Sequence, residues 1–444
     1  MPPNTPRPRL RRTRRIVVVE DRLARAVVTV GGVSVVFAVL GICVYLAATV
    51  LPLFQRGRAS PGPDPVTTPA ARPLALLIDQ DSLAATVLDD AATLHTALLH
   101  SGAAVEAAPV VPGGATPVAT TPPDPSGMLL VALPGGSFQF ATVSFDSALL
   151  SSIPADSEDA GPGVVGATSV TSPPTLDPTR SSGGFLERTD AGQTRLTVPT
   201  RTVAPPLDLP GAPTQPARIA FSRARSGERA IVSLAPSPTQ GAAGIFARSR
   251  TITPLGGTPT EQWTTLPIPP LPSGPPDWLF ITSDAASILC VYRTGEALRL
   301  APSQASVVIA EQHRLVPPGV SITSATMLLG GLTLVLGDER GSVHGWFTAP
   351  DPQAGTPDSQ RLVEAHNFRV SDAAITALSP ASRDRLIVAA DDAGHASLVH
   401  MTSHKVVASF ASRLQDIAAV APSPRADAIV LASADARLDT WRID

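Results

Sequence analysis

The feature that most constrains this chain is a run of 30 residues, AVVTVGGVSVVFAVLGICVYLAATVLPLFQ (26–55), without a single Asp, Glu, Lys, Arg or His. About 20 apolar residues cross the hydrocarbon core of a bilayer as a helix, so this run spans it with some tilt. A cleaved signal peptide has an apolar region of only about 7–15 residues, so an uncleaved anchor is the expected reading. A buried core helix needs a shorter stretch and leaves the flanking charge unexplained. That charge is eight Arg in residues 1–25 (Arg7, Arg9, Arg11, Arg12, Arg14, Arg15, Arg22 and Arg25) against Glu20 and Asp21, or +6. Only Arg56 and Arg58 lie close on the other side. The positive-inside rule then places the N-terminus in the cytoplasm and the chain beyond Gln55 outside. Beside a span, the Arg cluster reads as a topology signal touching anionic lipid rather than a nucleic-acid patch. Gly31, Gly32 and Gly41 form no GxxxG pair, so no helix-dimerisation motif is visible.

The rest of the chain is different in kind. With a whole-chain charge of −3, everything after residue 25 carries −9, and nothing there points to nucleic acid. The 47 prolines disfavour a helical domain, because each interior proline costs roughly 3 kcal/mol. Hydrophobic residues at 43% and charged residues at 16% exclude full disorder. Lys405 is the only lysine, and it follows His404, so no P-loop exists. Cys43 lies in the span and Cys290 in the outer region, so no disulfide framework forms.

Proline-rich stretches at 59–72, 108–127, 199–217 and 253–276 read as loops or linkers, and the acidic tract 154–163 as a solvated loop tip. Between them stand short apolar runs with strand lengths, such as LALLIDQD (74–81), MLLVAL (128–133), WLFITSD (278–284) and LIVAADDAGHASLVHM (386–401). The stretch 84–103 is read as two strands around Asp89-Asp90, against a helix. Residues 375–401 align with 417–443 at an offset of 42, pairing Ile375 with Ile417, Pro380 with Pro422 and Arg383 with Arg425. A period of about 40–45 with strand, acidic-Gly turn and Trp-bearing strand (Trp346, Trp441) is that of WD40-type blades. The expected fold is therefore all-β, a propeller of about seven blades after one transmembrane helix, with a β-sandwich as the alternative. Its parts are a basic cytoplasmic tail (1–25), the span (26–54), a Pro-rich linker (55–72) and the extracytoplasmic propeller (73–444). An early strand such as 74–78 is expected to complete the last blade, so that deleting 59–82 destabilises the domain.

Candidate chemistry is sparse, and no catalytic, cofactor or metal residue is assigned. His395, His400 and His404 fall close together, but only the last two share strand parity, and they lack Cys or carboxylate partners at zinc spacing. Asp338, Asp391, Asp392 and Asp435 precede the second long strand of their units, where Asp forms turns by binding its own backbone. Trp263 and Trp278 flank a proline-rich segment and are read as packing. There is no GxSxG, no HExxH and no GxGxxG after a strand. The chain is therefore not expected to be an enzyme.

Both ends resemble one family. Asp21–Arg25, Gly31-Gly32 and Pro52-Leu53-Phe54 are similar to the start of the long-form phosphate ABC transporter permease. Ser379-Pro380 with Arg383, Asp391 with Gly394, His400, Thr402-Ser403 and the Trp441–Asp444 ending resemble the close of that family's large WD40-like insert. The resemblance implies a phosphate-importer component of the bacterial inner membrane. Its partners would be the bilayer and the other importer subunits: a second permease, an ATPase and a phosphate-binding protein. The family continues into further membrane helices, whereas no second apolar run of about 18 residues follows Gln55. Phosphate contacts therefore transfer to no residue here. The chain reads either as a permease cut before its transport core or as a free-standing relative of the insert, anchored as a scaffold.

Overall fold

The computed structural model describes residues 15–50, 57–113, 116–150, 166–168, 184–188, 194–236, 243–252, 260–352, 360–425 and 427–443. The expected acidic loop tip, 154–163, lies outside them. The chain divides into two units, 1–56 and 57–444.

The first unit is a helix, Arg15–Val50, within which Arg22–Ala48 is a candidate membrane span of 27 residues with mean hydropathy 2.6. It begins eleven residues before the expected span: Ile16–Arg25 hold no Gly or Pro to stop the helix, and Glu20, Arg22, Leu23, Ala24 and Arg25 favour it. Residues 51–54 of the expected span lie outside the described residues. Within the apolar stretch the hydroxyls are satisfied locally: Thr29 Oγ1 donates to Arg25 O at 2.8 Å and Ser34 Oγ to Gly31 O at 2.8 Å. A lipid environment demands that kind of internal bonding.

The second unit is a propeller of seven antiparallel sheets. Blade 1 is Pro73–Ile78, Ala84–Asp89, Thr93–Leu98 and Ala104–Pro109. Blade 2 is Ala119–Thr120, Met128–Ala132, Ser137–Leu150 and Thr194–Val203, extended outward by Gly184–Arg188 and Gly166–Thr168. Blade 3 is Arg218–Arg223, Arg229–Leu234, Gly244–Ile252 and Thr260–Ile268. Blade 4 is Trp278–Ile281, Ile288–Val291, Glu296–Pro302 and Val307–Arg314. Blade 5 is Ile322–Met327, Thr333–Asp338, Ser342–Pro350 and Gln360–Arg369. Blade 6 is Ile375–Pro380, Leu386–Asp391, His395–His400 and Lys405–Ala411. Blade 7 has Ile417–Pro422, Ala428–Ser433 and Arg437–Ile443, and takes its outer strand from the other end of the unit. The two strands expected around Asp89-Asp90 are those of blade 1.

The hydrophobic core is a ring of seams, each shared by two neighbouring blades. Second strands are buried on both faces, so they read as unbroken apolar runs. Alternate residues then serve different neighbours. Leu334 and Leu336 pack towards blade 4, while Val335 packs towards blade 6. Ile429 and Leu431 face blade 6, while Val430 and Ala432 face blade 1. First strands interlock through hydroxyls. Thr323 Oγ1 and Ser324 Oγ of blade 5 each donate to Ile375 O of blade 6 at 2.7 Å, and Thr376 Oγ1 donates to Ile417 O of blade 7 at 3.1 Å. These threonines sit where the ladder slips by one residue, which frees the hydroxyl to reach across.

The ring is closed by Ala59–Pro61, not by the strand at 74–78, which is the innermost strand of blade 1. Ala59 pairs with Ile443, Ser60 with Arg442 and Pro61 with Trp441; Val66 and Thr67 then pair with Leu438 and Arg437. Residues read as linker thus form the outer strand of the last blade. The other proline-rich stretches hide strands for the same reason. Pro199 lies in Thr194–Val203 beyond the end of the next strand, and Pro267 lies on the outer strand of blade 3. At such edges a missing N–H breaks no ladder bond.

In an up-and-down blade the first and third turns share one face of the ring. Because Ala59 pairs with the last residue of a third strand, the chain enters the propeller on that face, called here the entry face. Tight turns on the opposite face depend on glycine at a few points. Gly341 has φ +80°, and a Cβ there meets Ser371 O at 2.2 Å. Gly319 has φ +75° but open space around it. Gly341→Ala is expected to cost at least about 2 kcal/mol, and Gly319→Ala about 1 kcal/mol, in urea unfolding of the full chain in detergent. Equal losses would show that the Ser371 carbonyl moves aside freely.

Candidate functional site

The acidic residues singled out in the sequence serve turns. Asp338 Oδ1 accepts from Arg340 N at 2.9 Å and Ser342 N at 2.8 Å. Asp391 Oδ1 accepts from His395 N at 2.7 Å, and its other oxygen accepts from Ser371 Oγ. Asp392 is exposed beside it. In blade 7 the equivalent of Asp391 is Ser433, whose Oγ accepts from Arg437 N at 3.2 Å and donates to Asp435. Blade 1 repeats the turn at Asp89, where the sequence places the break between two strands; Thr93 N donates to its Oδ1 at 2.8 Å.

The three clustered histidines separate. His395 and His400 begin and end one strand. His395 Nδ1 lies 3.5 Å from Asp391, and His400 Nδ1 bonds Ser403 Oγ at 3.0 Å. His404 Nε2 meets His366 Nδ1 of blade 5 at 2.7 Å, and its ring stacks on Phe368. Burial, then the neighbouring His404 and Arg385, hold His366 below the usual imidazole range. Among the described residues no three His, Cys, Asp or Glu are placed to hold a metal ion. Trp263 stacks on Phe140 across the seam of blades 2 and 3, with the Arg229 guanidinium 4.3 Å from the Phe140 ring centre. Trp278 lies under Arg293 in the seam of blades 4 and 5.

Cavities are small. The two most pronounced among the described residues hold about 20 Å3, between blades 1 and 2, and about 10 Å3, between blades 3 and 4. One water fills such a space, whereas a small-molecule pocket needs about 300–1,000 Å3.

Two polar clusters remain, and the sequence reading missed both. The first is the closure seam. Asp439, fully buried, accepts from Ser412 Oγ, Arg413 N and Arg413 Nε, each at 2.9 Å, and from Trp441 Nε1 at 2.8 Å; Arg413 Nη2 joins them. Arg413 also donates to Pro63 O at 2.6 Å and Gly62 O at 3.4 Å, and lies 3.5 Å from Asp64. It thereby fills the bend between the two pieces of the closing strand. Trp441 stacks on Phe410 of blade 6 at 4.3 Å. The available signal was a lone carboxylate two residues before a tryptophan on the same face of an apolar strand. The second cluster is on the entry face. Asp81 of blade 1 binds Arg195, on the fourth strand of blade 2, at 2.7 Å and Arg425 of blade 7 at 3.2 Å. Phe185 of the blade 2 extension is buried against Ala84 and Leu98 of blade 1.

His344 is nearly fully buried between two carboxylates, Nε2 at 3.1 Å from Asp338 and Nδ1 at 3.2 Å from Glu364. Burial alone lowers an imidazole, but the bonds to Asp338 and Glu364 outweigh it and hold His344 above its ordinary value. Asp338, despite its own burial, is held below the carboxylate range by His344 and by the turn amides.

No protein-family model and no curated protein sequence matches this chain. Among solved structures, it is similar to Raptor of Chaetomium thermophilum at 12% identity, over 88% of this chain and 29% of that one, with a TM-score of 0.48. It is also similar to the Cps50 (Swd1) β-propeller domain of Myceliophteria thermophila at 9% identity, over 86% of this chain and 100% of that one, with a TM-score of 0.49. The chain thus spans about three tenths of Raptor.

Two outcomes follow from these clusters. Arg413→Met leaves Asp439 buried with three donors instead of five. Loss of one partner of a buried pair costs about 3–5 kcal/mol, and the partial exposure of Arg413 puts the expected loss near the lower end, about 3 kcal/mol in urea unfolding. Because the folded value of His344 is raised, its contribution is complete below the unfolded value of about 6.5 and is lost as pH rises through the folded value. Unfolding free energy measured from pH 6 to 9 should fall in the wild type relative to His344→Gln. Parallel curves would contradict the paired imidazolium.

Proposed function

We propose that this protein is a membrane-anchored propeller that docks or regulates other envelope subunits, as the extracytoplasmic part of a phosphate ABC importer permease. One observation carries the reading: Ala59 and Ile443 are paired residues of adjacent strands. A chain that leaves a membrane at one of them can return beside the other, which is what a domain inserted between two membrane segments requires. The ordered likeness of Asp21–Phe54 and Ser379–Asp444 to that family supports the same reading. Cavities of about one water and acids committed to turns favour binding over catalysis. ATP hydrolysis belongs to a partner subunit in this scheme.

The helix Arg22–Ala48 is the anchor, with its Arg-rich flank in the cytoplasm. In a Cys43→Ala background, Asp392→Cys should react with a membrane-impermeant maleimide in intact cells, and Thr13→Cys only after permeabilisation. The reverse pattern would invert the orientation. Affinity purification of the tagged full chain from mild detergent should recover an ATPase, a second permease and a phosphate-binding protein. Recovery without any of them would favour a stand-alone scaffold.

A further inference from the structure

Exposed apolar side chains on the propeller are concentrated on the entry face. Leu149, Ile252, Val308, Ile309, Leu332 and Phe347 are 36–58% exposed. Phe347 pairs with Thr333, the first residue of its second strand, and Leu332 occupies the turn just before it. Ile309 pairs with Leu300, which in turn pairs with Ile288, again a strand start on the entry side; Val308 lies one residue further out. Leu149 and Ile252 close third strands that run past their second strands on that side. Among the described residues, only Leu74 and Val118 of the exposed large apolar side chains, at the starts of first strands, belong to the opposite side.

These six side chains come from blades 2 to 5, the arc across the ring from blade 7, where the chain enters. The entry strand follows the apolar helix after eight residues, 51–58. At about 3.3–3.6 Å per residue, that link reaches at most about 30 Å. A tether at one side and apolar contacts along the far arc together define a plane. Charge agrees as the lesser argument. The opposite face exposes Asp90, Glu339, Asp392 and Asp435 together with Arg293, Arg340, Arg369 and Arg437, whereas on the entry face Arg223, Arg250, Arg361, Arg383, Arg385 and Arg442 outnumber Asp284, Asp384 and Asp427. Apolar side chains interspersed with Arg are what seats a protein surface in the headgroup layer of an anionic bilayer.

We infer that the entry face lies flat on the lipid bilayer, with these six side chains in its interfacial layer. The inference rests on the anchor part of the proposed function and adds which face meets lipid. It leaves the opposite face for soluble partners.

The test uses the full chain, with Cys43→Ala, in phosphatidylethanolamine–phosphatidylglycerol vesicles carrying chain-brominated lipid. An environment-sensitive fluorophore is attached in turn at Val308→Cys, Phe347→Cys, Asp435→Cys and Val35→Cys. Cys290 stays silent, because burial pushes its thiol up to about 12. Quenching at 308 and 347 should exceed that at 435 at least threefold, with 35 strongly quenched. Adding Val308→Asp and Leu332→Asp to the 347-labelled protein should at least halve its quenching without moving the melting temperature. If 308 and 347 are as weakly quenched as 435 while 35 is quenched, the inference falls and the anchor stands; a face reserved for a protein partner gives this result. If 35 is also unquenched, both fall.

Discussion

The ring depends on one buried carboxylate. Asp439 gathers five donors, two of them from a guanidinium that also grips the first residues of the propeller. A blade buries its apolar faces only against its neighbours, so an open ring exposes two seams at once. Three paired residues, Ala59–Pro61, would make a weak outer strand alone. Their bend around Arg413 converts a short ladder into a clasp, and the stack of Trp441 on Phe410 carries it into blade 6. The rest of the architecture follows from that closure. It sets the face on which the chain enters, and therefore which loops and which apolar side chains share that face.

Symmetry is broken in two places that bear on function. Blade 2 grows an extension whose Phe185 packs on blade 1, and Asp81 ties the adjoining fourth strand, through Arg195, to blade 7. The strap, blade 1 and this extension thus form one sector of the entry face. Blades 2 to 5 supply its apolar arc. On the opposite face, blades 1, 5 and 6 carry short turns whose Asp89, Asp338 and Asp391 are engaged with the turn amides. A protein organised this way presents two unlike surfaces.

Much of this was legible in the sequence, for physical reasons. The helix is announced by 30 residues without charge. Second strands such as Ala428–Ser433 are buried on both faces and so read as continuous apolar runs. The 42-residue offset between Ile375 and Ile417 carries the blade repeat and hence the count of seven. Outer strands were harder. Thr260–Ile268 and Ala59–Pro61 are half-exposed, polar and proline-bearing, because an edge tolerates what a central strand forbids. Arg413 and Asp439 could not be paired by reading, since 26 residues and two strands separate them. Nor could the apolar arc be seen, because its members are scattered from 149 to 347 and meet only once the register is known.

The most direct test removes the clasp itself. Hydrogen exchange is measured on the full chain in detergent with and without residues 59–67. Closure as the common support predicts loss of protection across all seven blades, in Ile288–Val291 as well as in Arg437–Ile443, with a lower melting temperature. Unchanged melting, or fast exchange confined to Arg437–Ile443, would show that the ring holds without its strap.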